Sequence, residues 1–256
     1  MIIHSININF LQGKILDLDA DEQGQFIAFT DSGTVITHDK ILAIDKEIRF
    51  PIIRRLDLDT FLIAESRTDK LPNGHIYNFN GQLLQSFLIG DGIQNIVVHN
   101  NKIVATYFDE GVFGDDGPNN DGLAIFDLTG HQLFGFNSTV EDFGIDDCYC
   151  ICKHKTDTVL FYAYAEFKLC ELNVDTFEFT SIDTLNDFAG ASAISGTKDK
   201  IIFHSAYKDK TSFFSWDTNK NDVVKFGSYP PPLKGIGNGY FLSVGNNGFT
   251  IINSMS

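Results

Sequence analysis

The chain has 256 residues, 43% hydrophobic and 13% aromatic, with thirty-four Asp and Glu against nineteen Lys and Arg and a net charge of −15. That composition supports a full core and excludes disorder. The shortage of clustered cations sets aside nucleic acid and anionic membranes as partners, leaving cations, basic proteins and neutral ligands.

Twenty-four Phe against two Met point to a core of rings and β-branched chains, which favours sheet over helix. MIIHSININFLQGK lacks the basic and then apolar order of a signal peptide. No stretch approaches the roughly 20 apolar residues of a membrane span. Four cysteines are too few for a disulfide scaffold of this size, and the expected compartment is the cytoplasm.

In chain order, IIHSININF (2–10) comes first and reads as a spare strand. Six segments then share one form, a short strand, a tight turn and an apolar strand. They are ILDLDADEQGQFIAFT (15–30), IRRLDLDTFLIAE (53–65), IQNIVVHNNKIVATYF (93–108), CYCICKHKTDTVLFYAY (148–164), ASAISGTKDKIIFHSAY (191–207) and LKGIGNGYFLSV (233–244). Each leads into a third and usually a fourth strand. HIYNFNGQLLQSF (75–87) and LAIFDLTGHQLFGF (123–136) are nearly superimposable hairpins, with Gly81 and Gly130 at turns where a positive φ is cheap. LCELNVDTFEFTSI (169–182) and FSWDTNKNDVVKF (214–226) are looser copies.

Six units of roughly forty residues, each a four-stranded meander, describe an all-β fold, a six-bladed β-propeller of antiparallel blades in one domain over 1–256. The sixth unit ends one strand short after GFTIINSMS (248–256). The spare N-terminal strand completes it by pairing there, which closes the ring and hides two strand edges. A large β-sandwich is the alternative.

The turns Phe79-Asn80-Gly81 and Phe126-Asp127-Leu128-Thr129-Gly130 resemble those of NHL and TolB-like propellers, a resemblance that covers most of the chain and implies a fold and no particular activity. YFDEGVFG followed by GLAIFD is similar to stretches of uncharacterised bacterial propeller proteins. The Trp216-Asp217 pair has no counterpart in the other five units, which sets WD repeats aside.

In such a ring, loops joining strands two and three share a face with the connections between blades. The loop 109–122 holds Asp109, Glu110, Asp115, Asp116 and Asp121 with no Lys or Arg. Beside it, STVEDFGIDD (138–147) adds Glu141, Asp142, Asp146 and Asp147, and the preceding blade connection adds Asp91. Lys208 and Lys210 stand opposite.

Three readings stay open. The loops are solvated for solubility; they hold Ca²⁺ or another divalent cation; or they form a docking surface for a protein or peptide, anchored by Phe113 and Phe143. An EF-hand is excluded, since its first ligand would be Gly117 and its twelfth Leu128.

Cys148, Cys150 and Cys152 alternate and so point to one face, packing between blades or, with Cys170 and His154, approaching a zinc set. No G-x-S-x-G and no phosphate-cradling glycine loop is present. His204 is a structural imidazole or a base. Some six-bladed propellers are metal-dependent lactonases or hydrolases with one ion at the channel mouth, and that likeness implies Glu65, Asn95 and Asp147 as ligands. Arg54 or Arg55 and Lys234 occupy neighbouring positions, repel a cation, and give Glu65 and Asp147 ion-pair partners instead.

In the repeated LDLD, Asp19 and Asp59 serve the following turns, while Asp17 and Asp57 are hydrogen-bonded or exposed. The expectation is a non-catalytic binding or scaffold propeller without a cofactor, using the acidic face for a partner or cation. The alternative is a metal-dependent hydrolase.

Overall fold

A computed structural model describes residues 1–8, 13–69, 71–164, 166–197 and 200–255. The first strand, β1 (Ile2–Asn7), stands apart from the blade that follows it. Blade 1 is β2 (Ile15–Ala20), β3 (Phe26–Thr30), β4 (Thr34–Thr37) and β5 (Ile41–Ala43). Blade 2 is β6 (Pro51–Arg55), β7 (Thr60–Glu65), β8 (Gly74–Asn78) and β9 (Leu83–Phe87). Blade 3 is β10 (Ile93–His99), β11 (Lys102–Tyr107), β12 (Leu123–Asp127) and β13 (Gln132–Gly135).

Blade 4 is β14 (Asp147–His154), β15 (Thr158–Tyr164), β16 (Lys168–Asn173) and β17 (Phe179–Asp183). Blade 5 is β18 (Ala193–Gly196), β19 (Lys200–Ala206), β20 (Asp209–Asp217) and β21 (Asp222–Ser228). Blade 6 is β22 (Lys234–Gly237), β23 (Tyr240–Gly245) and β24 (Gly248–Asn253), and β1 completes it. The pairing runs antiparallel from Ile2 opposite Asn253 to Asn7 opposite Gly248. The ring is therefore closed by the chain's own first strand, as the sequence pattern implies. Positions 9 and 10 of the expected spare strand, and the turn at 198 and 199, lie outside the described residues.

The blades form because short apolar runs are cut by turns that their own side chains stabilise. Asp127 accepts hydrogen bonds from the N–H groups of Thr129 and His131, at 2.8 and 3.0 Å. Asn78 does the same for Asn80 and Gln82, both at 3.0 Å. These Asx turns, with Gly130 and Gly81 at φ 82° and 81°, explain why the two hairpins match. Each blade buries both faces against its neighbours, so β3 is buried at every position. Leu62, Ile96, Tyr107 and Phe126 join blades 2 and 3; Val104, Phe136, Ile151 and Phe161 join blades 3 and 4. Each such side chain contributes about 1.5–3 kcal/mol on burial.

One register feature corrects the sequence reading. Cys148 pairs with Ala163 and Cys150 with Tyr162, so Tyr149 is an extra, bulged residue. The bulge resets the alternation. Cys148 packs between blades 3 and 4, whereas Cys150 and Cys152 pack between blades 4 and 5. The three thiols therefore do not share a face, and burial pushes all of them upward, Cys152 to about 12. Similar shifts interrupt β2, β10 and β22.

The axis is occupied by charge. Asp17 on β2 accepts from Arg54 Nη1 at 2.7 Å, from the Ile53 N–H at 2.9 Å, and from the Lys234 ammonium. Asp17, rather than Glu65 or Asp147, is thus the partner of both cations. Arg54, Asn95, Lys153 and Lys234 line a small cavity of about 30 Å³ among the inner strands. The LDLD roles are also reassigned. Asp57 holds its own turn through the Asp59 and Thr60 N–H groups, and Asp19 reaches across to the Arg55 N–H.

Candidate functional site

In an antiparallel meander the loops after second strands and the blade connections share one end, which places 109–122 and 138–147 together. The first loop is built, not loose. It contains one helical turn, α1 (Asp109–Val112), and a 3₁₀ turn over Pro118–Asp121; both are too short to show a helical period in the sequence. Buried Asn119 donates to the carbonyls of Gly111 (2.7 Å) and Asp115 (2.9 Å), and accepts from the Asp91 N–H at 3.2 Å. Asn137, from the turn α2 (Phe136–Thr139), donates to the carbonyls of Asn120 (3.0 Å) and Ile145 (2.9 Å). Gly111 lies directly on the blade 2–3 connection, where a Cβ would stand 2.5 Å from the Asp91 carbonyl.

The carboxylates divide by orientation. Asp121 is buried, accepting from the Ser138 N–H and from Gln132 Nε2, both at 3.0 Å, so it braces the loop from within. Asp109, Glu110, Asp115, Asp116, Glu141 and Asp142 are exposed. Glu110 and Asp91 share Arg67, at 2.6 and 3.1 Å, and the guanidinium lies 5.5 Å from the centroid of the Phe108 ring. Beside them a cleft of about 650 Å³ opens between Arg49, Phe50, Arg67, Asp91 and Asp116.

The two apolar candidates separate. Phe143 is half-buried, edge-on to Phe136 with centroids 5.8 Å apart, and so folds beneath its loop. Phe113 is 71% exposed.

Glu65, Asn95 and Asp147 stand in different surroundings. Glu65 lies 3.4 Å from Lys46 Nζ and accepts from the Arg49 N–H. Asn95 Oδ1 accepts from Arg54 Nη2 at 2.8 Å. No donor among the described residues reaches the Asp147 carboxylate; burial first, then the neighbouring charge of Asp109, raise it to about 6. Among the described residues no group of three or more His, Cys, Asp and Glu is arranged to hold a metal ion. His204 is buried with Nε2 2.9 Å from the Tyr229 carbonyl and 3.2 Å from that of Thr211, so this nitrogen donates and the ring holds a loop.

Because its folded-state pKa is raised, ionised Asp147 weakens the fold at neutral pH, and the penalty fades as pH falls from about 6 toward the ordinary value. With the group only partly buried, screening reduces the effect to about 1 kcal/mol. Asp147→Asn is expected to raise stability by that amount at pH 7 and to match the parent near pH 4 in urea unfolding. A variant less stable at pH 7 contradicts this account.

Arg67 and the asparagine braces are not conspicuous in the sequence. Arg67 was nonetheless within reach of the same topology, since 66–70 follows the second strand of blade 2 as 108–122 follows that of blade 3. The braces depend on contacts between loops, which no local pattern records.

No protein-family model and no curated protein matches the chain. Solved structures do. The extracellular domain of a hybrid two component system from B. thetaiotaomicron superposes with TM-score 0.60 at 14% identity, over 96% of this chain and 34% of that one. Virginiamycin B lyase from Staphylococcus aureus gives 0.53 at 11%, over 97% and 98%. Kluyveromyces lactis Hsv2 gives 0.58 at 11%, over 96% and 76%. The chain spans about a third of the length of the first of these. No helix among the described residues is long and apolar enough to cross a membrane. At such identities the likeness shows the fold alone, a six-bladed β-propeller whose neighbours differ in role.

Proposed function

We propose that the chain is a non-catalytic binding propeller whose partner, a protein or peptide, docks on the face carrying 109–122 and 138–147. The observation that carries this reading is Phe113, 71% exposed on a loop whose interior is fixed by Asn119, Asn120 and Asp121. A large apolar ring held out of a braced, charged loop supplies a desolvating anchor, and the exposed carboxylates around it supply orientation. A hydrolase with its ion on the axis fits less well, because Arg54 and Lys234 stand there and oppose a cation.

The test is selection of peptides from a random display library on the folded protein. Phe113→Ser and Asp116→Asn are expected to weaken the selected peptides about tenfold while leaving the melting temperature within about 1 °C. Peptides indifferent to both replacements, or a melting temperature several degrees lower for Phe113→Ser, overturn the reading.

A further inference from the structure

One sector of this face supplies both sides of a recognition motif. Arg67 from the blade 2 loop lies on the Phe108 ring between Asp91 of the blade connection and Glu110 of the blade 3 loop. Arg67 is the second residue after β7 and Phe108 the first after β11, so guanidinium, ring and carboxylates meet where two neighbouring blades adjoin.

The next sector holds a similar set of groups at other positions of the repeat: Asp109, second after β11, stands where Arg67 stands after β7. Tyr164 ends β15, the place that Tyr107 holds on β11, and stands directly opposite Asp147 in the ladder. Asp109 is carried by α1, which packs against β14, and after burial its charge is the next cause that raises the Asp147 carboxyl. Among the described residues neither Asp147 nor Asp109 has an ion-pair partner. Among the described residues no guanidinium pairs with either carboxylate or lies over Tyr149 or Tyr164.

The aromatic part is also larger here. The bulge on β14 puts Tyr149 out of the ladder and alongside Tyr164, the rings stacked with centroids 6.4 Å apart. Tyr207, after the second strand of blade 5, meets Tyr149 edge-on at 6.1 Å and shares a hydroxyl hydrogen bond with it. Phe167 packs behind them, at φ 49°, a left-handed conformation uncommon for an aromatic residue. Tyr164 and Tyr207 remain 46% and 52% exposed. The rings already attract one cation: Lys210 Nζ lies 5.1 Å from the Tyr207 centroid.

We propose that this surface takes an arginine side chain of a basic polypeptide, its guanidinium against Tyr164 and Tyr149 and paired with Asp147 and Asp109. The inference rests on the docking face proposed above and names its partner's chemistry. Guanidinium suits the place better than ammonium because it is planar, stacks on rings and meets carboxylates with two donors. The chain's net charge of −15 favours the same partner.

Titration calorimetry at about physiological salt with acetylated tetra-arginine amide, and with its tetra-glutamate counterpart, tests this. Tetra-arginine is expected to bind and tetra-glutamate not. Tyr164→Leu and Asp147→Asn are each expected to weaken tetra-arginine about tenfold, and Tyr164→Phe, which keeps the ring, no more than about twofold. Should Tyr164→Leu fail to fold, Tyr149→Leu and Asp147→Asn carry the comparison. Tetra-arginine affinity unchanged in Tyr164→Leu or Tyr149→Leu, and in Asp147→Asn, shows only general charge attraction and overturns the inference, as does absence of binding. Display-selected peptides that need Phe113 but ignore Tyr164 and Asp147 leave the docking face standing and remove the tyrosine anchor.

Discussion

Asp17→Ala is expected to destabilise the fold by about 3–5 kcal/mol, read as a fall in the urea midpoint with an unchanged slope. The carboxylate is 6% exposed and Arg54 4%, while Lys234 keeps a third of its side chain in water. Removing the anion leaves a buried guanidinium facing a partly buried ammonium. That strands charge as well as losing a pair. Burial alone would raise the Asp17 carboxyl, but Lys234 and Arg54 outweigh it and hold the group below its ordinary range. Its contribution is therefore complete above the unfolded-state pKa of about 3.9 and disappears as pH falls through the lower folded-state value. The gap between parent and Asp17→Ala should narrow in strong acid. Replacing all three residues together with apolar ones, Asp17→Leu with Arg54→Met and Lys234→Met, is expected to recover most of the loss. A single variant within about 1 kcal/mol of the parent at pH 7 defeats this view of the axis.

Gly235→Ala is the second large effect, about 3 kcal/mol and at the upper end of overpacking costs. Gly235 sits on β22 where the inner strands of blades 4, 5 and 6 crowd together. A Cβ there would lie 1.6 Å from the Ile194 carbonyl oxygen, 2.7 Å from its carbon and 3.3 Å from the Cys152 Cβ. The obstacle is backbone, and Ile194 is fixed in its ladder opposite Phe203. No rotamer change relieves the contact, so one blade must shift outward against its neighbours. Gly144, with nothing within 4 Å of a built Cβ, is the control, and Gly144→Ala should be neutral. Equal melting temperatures for the two alanine variants would show that the inner strands are not close-packed.

The blades were legible because the signals that specify them are local. Apolar alternation and the Asn78 and Asp127 turns lie within a few residues of each other, and even the missing strand of the sixth unit could be counted. The axis was legible only in part. Strand position puts Arg54 or Arg55 and Lys234 there, but Asp17, the partner of Arg54 and Lys234, lies 37 and 217 residues away from them, and no local rule selects it over Glu65 or Asp147. The cysteines misled for a definite reason. One inserted residue reverses the facing of everything before it, and composition does not mark a bulge as Gly or Pro marks a turn. The acidic loop was found by its charge, yet charge did not show that Asp121 points inward, that Phe143 is covered, or that Asn119 does the bracing. The tyrosine surface escaped notice because its members come from two blades and meet only in the fold.

The closed ring also sets an order of events in the life of the chain. Ser5 and Thr250, whose hydroxyls stand 3.0 Å apart in the closing blade, are separated by 245 residues. At roughly 5–20 residues per second of synthesis, β1 waits on the order of ten seconds or more for its partner. Throughout that interval Ile2 and Ile3 are carried on an unpaired strand. Blades 1 to 5 are each made from contiguous chain and can assemble as they emerge, whereas blade 6 must bridge the longest loop the molecule contains. A translation product stopped anywhere before β24 keeps that first strand without a mate and displays open edges to chaperones and proteases. The last hydrogen bonds formed thus report that the whole ring has been made.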